Sequence, residues 1–162
     1  MAEIEEFIHL EGDVNDRDEI DLKVSPDGNG IIVNAVDPAI DPVQDFIREK
    51  LSHFGCEKKP MMQIRLAVEE IFVNIISYAY RPDIGKAEIR CEVHEAPLSV
   101  TIQFMDSGKP FDPLAKEDAD LSGKMFMERE GGFGIHLVKN TMDAVDYEYR
   151  DGKNILTIRK NL

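Results

Sequence analysis

The stretch AVEEIFVNIISYAY, residues 67–80, decides how this chain is read. At about 100° per residue, Ile71, Phe72, Ile75 and Ala79 continue a stripe begun by Ile64 and Val68, so the spacing predicts a helix pressed against a core. Glu70, Asn74 and Ser77 form a second stripe along one edge of that helix, while Glu69 projects toward solvent. An Asn carbonyl can ligate Mg²⁺, a hard ion that keeps several waters and takes phosphate oxygens. A Glu one turn earlier can accept a proton from an attacking hydroxyl. A polar i,i+4 pair that merely solvates a helix edge accounts for the same two residues.

Working outward, the helix starts near Pro60, a suitable first-turn residue. Before it, GIIVNAV (30–36) reads as a strand and DPAIDPVQDFIREKLSHFGC (37–56) as a helix, with Ile40, Val43, Phe46, Ile47 and Leu51 at helical spacing. After it, KAEIRCEVH (86–94) and LSVTIQFMD (98–106) alternate apolar and polar residues about a turn at Glu95 to Pro97, a hairpin. A polar segment from Asp112 to Glu130 is long for a connection, and its Leu121, Met125, Phe126 and Met127 favour a lid over a ligand. GGFGIHLVKNTMD (131–143) opens a further helix. AVDYEYR and NILTIRK, flanking DGK, make a second hairpin. The expected fold class is α+β, a mostly antiparallel sheet covered on one face by helices.

The bulk properties narrow the function. With 162 residues, 43% apolar and 31% charged, the chain suits one soluble domain with a real core. Of the net charge of −13, most falls in residues 1–28, where ten acids face Arg17 and Lys23. We read residues 1–28 as an acidic extension ending at the turn signal SPDGNG, and 29–162 as the domain. Within the extension, EFIHL and EIDLKV each suggest a short strand. A polyanion would be repelled, so nucleic acid is not an expected partner. No apolar run is long enough to span a membrane. The start MAEIEEFIHLEGD lacks the basic opening and apolar stretch of a signal peptide, so a cytoplasmic protein is expected. Cys56 and Cys91 have no metal or redox spacing and are expected as free thiols.

Two more motifs carry chemistry. In FMDSGKPFDP (104–113), strand parity puts Asp106 on the same face as Leu98, Val100, Ile102 and Phe104. A buried carboxylate there needs a donor. The exocyclic amine of adenine is one, and Gly108 would let a flat purine approach the backbone. A plain Asp-Ser-Gly turn explains the same residues. In EGGFGIHLVKN (130–140), the glycines open a helix whose free N–H groups can hold phosphate. A flexible glycine hinge is the competing reading. Neither familiar glycine-rich nucleotide fingerprint is matched.

Together, RLAVEEIFVNIISYAY, DSGKPFDP and GGFGIHLVKNTMD resemble the anti-sigma factor serine/threonine-protein kinases, which belong to the histidine-kinase-like (GHKL) ATPase superfamily. The likeness spans about Gly30 to Lys160. It implies the Bergerat-type ATP-binding fold, a two-layer α/β sandwich binding Mg-ATP under a lid. By match, Glu70 is the general base, Asn74 the Mg²⁺ ligand, and Asp106 the adenine-binding carboxylate with Gly108 beside it. Gly132 and Gly134 line the phosphates, and Pro110, Phe111, Gly131, Phe133 and Ile135 count among the nucleotide-binding residues. The resemblance further implies a protein-serine/threonine kinase that phosphorylates a small antagonist (anti-anti-sigma-type) protein, sequesters a sigma factor, and forms a homodimer. An ATP-binding module that holds partners without phosphoryl transfer is the alternative. Many relatives carry His where Tyr78 stands. The wider superfamily often has Thr soon after the glycine of the last hairpin, where this chain has Lys153 after Gly152.

Overall fold

The computed structural model describes residues 19–115 and 132–162. Six strands form one sheet in the order β1-β2-β3-β4-β6-β5, every neighbouring pair antiparallel. They are β1 (Leu22–Val24), β2 (Gly30–Asn34), β3 (Lys86–Glu95), β4 (Leu98–Asp106), β5 (Ala144–Arg150) and β6 (Lys153–Asn161). The helices are α1 (Ile40–Ser52), α2 (Lys58–Asn74) and α3 (Gly132–Thr141), with α2 packed between the other two. This is the expected α+β sandwich.

Each hairpin turns where the residues require it. β3 and β4 pair from Glu95↔Leu98 to Ala87↔Asp106, which leaves Ala96 and Pro97 as the turn. β5 and β6 close through Asp151 and Gly152, both at positive φ, the backbone that a two-residue Asp-Gly hairpin needs. Residues 37–56 divide further than periodicity suggests. Asp37–Ala39 forms a 3₁₀ turn, α1 stops at Ser52, and Gly55 takes a left-handed φ of 68° before α2. Part of the acidic segment enters the sheet, since Leu22 to Val24 pair with Val33 to Ile31 as an edge strand. EFIHL, Gly131 and most of the lid segment lie outside the described residues.

The core lies between the helices and one sheet face. Ile64, Val68, Ile71, Phe72, Ile75 and Ala79 of the helical stretch are all buried. They meet Ile31 and Val33, Ala87 and Ile89, Ile102 and Phe104, and Leu156 and Ile158 from the sheet. Period-2 alternation aims those strand residues at one face. Cys56 and Cys91 are free thiols, and burial pushes the Cys91 thiol up to about 12. Among the described residues, no helix is long and apolar enough to cross a membrane.

Candidate functional site

The last six residues of the opening stretch, 75–80, are not α-helical. Ile75–Ala79 forms a π-helical segment, the kind of widened turn that recurs at functional sites. Its end meets the turn after β4, where the Lys109 N–H donates to the Ala79 carbonyl over 3.1 Å. Gly108 lies so near that a Cβ there would overlap that carbonyl. Tyr80 fastens the same corner. Its hydroxyl donates to the Lys86 carbonyl (2.6 Å) and accepts from the Ser107 N–H (2.7 Å), while its ring occupies the space a side chain at residue 85 would need.

Below this corner is a small cleft open to solvent. Ile71, Ile75, Phe104 and Leu156 give it apolar walls, Asn74 and Asp106 reach it from opposite elements, and Tyr78 and Phe111 line it as well. The Tyr78 and Phe111 rings stack with centroids 6.2 Å apart. That contact gives Tyr78 a place that strand and helix periodicity did not suggest.

Asp106 is 8% exposed, on the face that parity assigned to it. Its Oδ1 accepts from the Gly108 N–H (3.0 Å) and from Asn154 Nδ2 (2.9 Å). Burial is the largest influence on its carboxyl and pushes it above the usual range, and the two hydrogen bonds oppose that shift. Asn154, itself buried, stands directly opposite Asp106 in the β4–β6 ladder. Sequence reasoning missed it. Parity along NILTIRK from the inward Leu156 and Ile158 would have flagged it, by the same count that flagged Asp106.

Glu70 is half-buried and Glu69 exposed, as the helical stripes required. Burial first, and then the Glu69 charge, pushes the Glu70 carboxyl upward. Glu70 abuts Gly134 of α3 so closely that a Cβ at 134 would overlap its carboxylate. Of the remaining candidates, Phe111 lines the cleft, Pro110 is exposed in the turn, and Ile135 is buried in the core. Gly132 and Phe133 begin α3. Asn74 and Asp106 are thus brought to one cleft, with Glu70 a turn farther along α2 toward the α3 N-terminus.

The histidine kinase-like ATPase domain matches residues 33–160. The chain belongs to that family. Within the histidine kinase-like ATPases, its likeness to anti-sigma kinases holds in individual relatives. It is similar to "Serine/threonine-protein kinase BtrW" of Bordetella bronchiseptica, 30% identical over 59% of this chain and 66% of that one. It is also similar to "Anti-sigma F factor" of Caldanaerobacter subterraneus, 27% identical over 70% of this chain and 80% of that protein. A chain in "The crystal structure of SiaB-SiaC complex from Pseudomonas aeruginosa" aligns over 86% of both chains at 14% identity with a TM-score of 0.48, too slight a likeness to argue from.

Proposed function

We propose that the chain binds ATP with Mg²⁺ in the cleft between Asp106 and Asn74 and transfers the γ-phosphoryl group to a serine or threonine of a small antagonist protein. One observation carries the reading: a buried carboxylate, whose two hydrogen bonds among the described residues both go to Oδ1, ends an apolar cleft. Asp106 Oδ2 then accepts from the amine of adenine while Ile71, Ile75, Phe104 and Leu156 cover the ring. Gly108 lets the turn after Asp106 pack against the Ala79 carbonyl beside the base, with Pro110 and Phe111 following it. Gly132, Phe133, Gly134 and Ile135, at the start of α3, bring backbone donors toward the phosphates, and Gly131, which precedes them in the sequence, is proposed to join them.

Asn74 fits a Mg²⁺ ion that keeps most of its water. Among the described residues no group of three or more His, Cys, Asp and Glu comes together, so a cation at Asn74 would take the rest of its shell from water and phosphate. When bound, the ion neutralises developing phosphate charge. Glu70 takes the proton of the attacking hydroxyl, and its raised carboxyl makes it a better base than an ordinary surface glutamate.

The same proposal includes sequestration of a sigma factor or similar partner, a homodimer, and the division into an acidic segment (1–28) and an ATP-binding domain (29–162). Names of relatives that speak of kinases and an anti-sigma factor support it. The test is a pull-down from native cells with ATP present, then radiolabelled ATP and phosphosite mapping on the proteins recovered. Glu70→Gln is expected to keep ATP binding and lose transfer. Equal transfer by wild type and Glu70→Gln would sink the base assignment, and binding without any transfer would favour the non-catalytic module.

A further inference from the structure

Asn154 uses its whole hydrogen-bonding capacity inside the protein. Nδ2 donates to Asp106 Oδ1 (2.9 Å) and to the Lys109 carbonyl (2.8 Å), with the Gly108 carbonyl at 3.5 Å. Oδ1 accepts from the Phe111 N–H (3.0 Å) and from the Tyr147 hydroxyl. A carboxamide has two donors and a carbonyl with two lone pairs, so nothing remains for a ligand. One side chain on β6 therefore joins the end of β4, the turn at residues 108–111 and β5.

We propose that Asn154 is a positioning residue for the nucleotide site: its carboxamide orients Asp106 and the turn at residues 109–111 as one unit, so that Asp106 Oδ2 is the acceptor shown to a base amine. The proposal rests on the nucleotide reading above. Asn154 lines the cleft, but its hydrogen-bonding groups are engaged within the protein, so it acts through Asp106. A shorter hydroxyl side chain could bond one of these groups but has no second donor with which to hold the turn as well.

The consequence is a dependence on pH. Among the described residues, Tyr80 at the end of the π-helical segment and Tyr147 on β5 lie close enough to feel the Asp106 charge, Lys109 lines the same cleft, and Asp112 in the turn lies near Tyr147. Burial and the two bonds to Oδ1 set its ionisation. Without Asn154 the carboxylate loses a donor in an apolar surrounding and takes up a proton at higher pH. Nucleotide binding, which needs the acceptor, then fails at higher pH than in the wild type.

The experiment titrates the full chain with Mg-ATP by calorimetry from pH 5 to 9. Asn154→Leu should bind about tenfold more weakly at pH 7, the scale of one lost hydrogen bond to a charged group. Its low-pH loss of binding should move upward by about one unit. Asn154→Asp, which sets a second carboxylate against the first, should move it at least as far. Tyr147→Phe removes one donor to Asn154 without opening a cavity, and should shift both readings in the same direction by about twofold in affinity. If Asn154→Leu does not fold, the other two variants decide. A residue with a merely structural role would lower the melting temperature and leave the pH midpoint in place. An unmoved midpoint in Asn154→Asp and Tyr147→Phe, with wild-type binding intact, would overturn the inference alone. No binding by the wild type would overturn the nucleotide reading, and this inference with it.

Discussion

Asp27 and Asp106 are both aspartates in glycine-containing turns, and they behave in opposite ways. Asp27 sits on the surface in the turn before β2. Its Oδ1 accepts from the Ser25 hydroxyl (2.6 Å) and the Asn29 N–H (3.0 Å), and its Oδ2 from Arg90 (2.7 Å). The Ser25 bond most of all, then those of Asn29 and Arg90, hold its carboxyl well below the usual range. Asp106 is buried, takes both of its bonds on one oxygen, and is shifted upward. A carboxylate with both oxygens engaged closes a turn. One that is desolvated with an oxygen left over still has an acceptor to offer.

The glycines beside them offer the hardest test of that contrast. Gly108→Ala drives a Cβ into the Ala79 carbonyl, and should cost about 1–3 kcal/mol through forced backbone movement. It should also abolish ATP binding. Gly28, at φ 72° with open space around it, should cost about 1 kcal/mol on change to Ala, from the left-handed backbone alone, and leave binding as it was. Urea unfolding and ATP titration of both variants measure this. A milder effect at Gly108 than at Gly28 would remove the argument for close approach.

The pH dependence of stability should separate the two aspartates next. The folded-state shift of Asp27 is downward, so the stability it contributes is present above the usual carboxylate range and lost as pH falls through the folded-state value. The shift of Asp106 is upward, so its contribution is full below the usual value and lost as pH rises through the raised one. Glu70 shares the sign of Asp106. Melting temperatures across acid and neutral buffers should show Asp27→Asn flattening the acid limb and Asp106→Asn flattening the decline above it. Identical slopes in the two variants would contradict the contrast. The smallest effect should come from the aromatic pair. Tyr78→Ala loses a stack with Phe111 that is part-exposed, and should cost about 0.5–1.5 kcal/mol with a few-fold loss in nucleotide affinity.

Local pattern carried much of this structure. LSVTIQFMD and AVDYEYR coincide with β4 and β5, because alternation and turn chemistry are properties of adjacent residues. The same parity placed Asp106 in the core face before any partner was known. What stayed hidden depends on contacts between distant segments. The π-helical turn at Ile75–Ala79 has no distinct periodicity over five residues, and it is held by the turn after β4 through Lys109. Parity puts Asn154 on the core face, but that it stands opposite Asp106 follows only from the pairing of β6 with β4. EIDLKV suggests a short strand, and Leu22 to Val24 form one; what the residues alone do not give is its partner, the edge of β2.

The account stands or falls on Asp106 as the acceptor that a nucleotide base finds in the cleft. Calorimetric titration of Mg-ATP into wild type, Asp106→Asn and Asp27→Asn addresses it directly. The expected result is one site in the wild type, unchanged affinity in Asp27→Asn, and affinity weaker by about 10- to 100-fold in Asp106→Asn, the scale of a hydrogen bond to a charged group. Equal affinity in Asp106→Asn and wild type would contradict it.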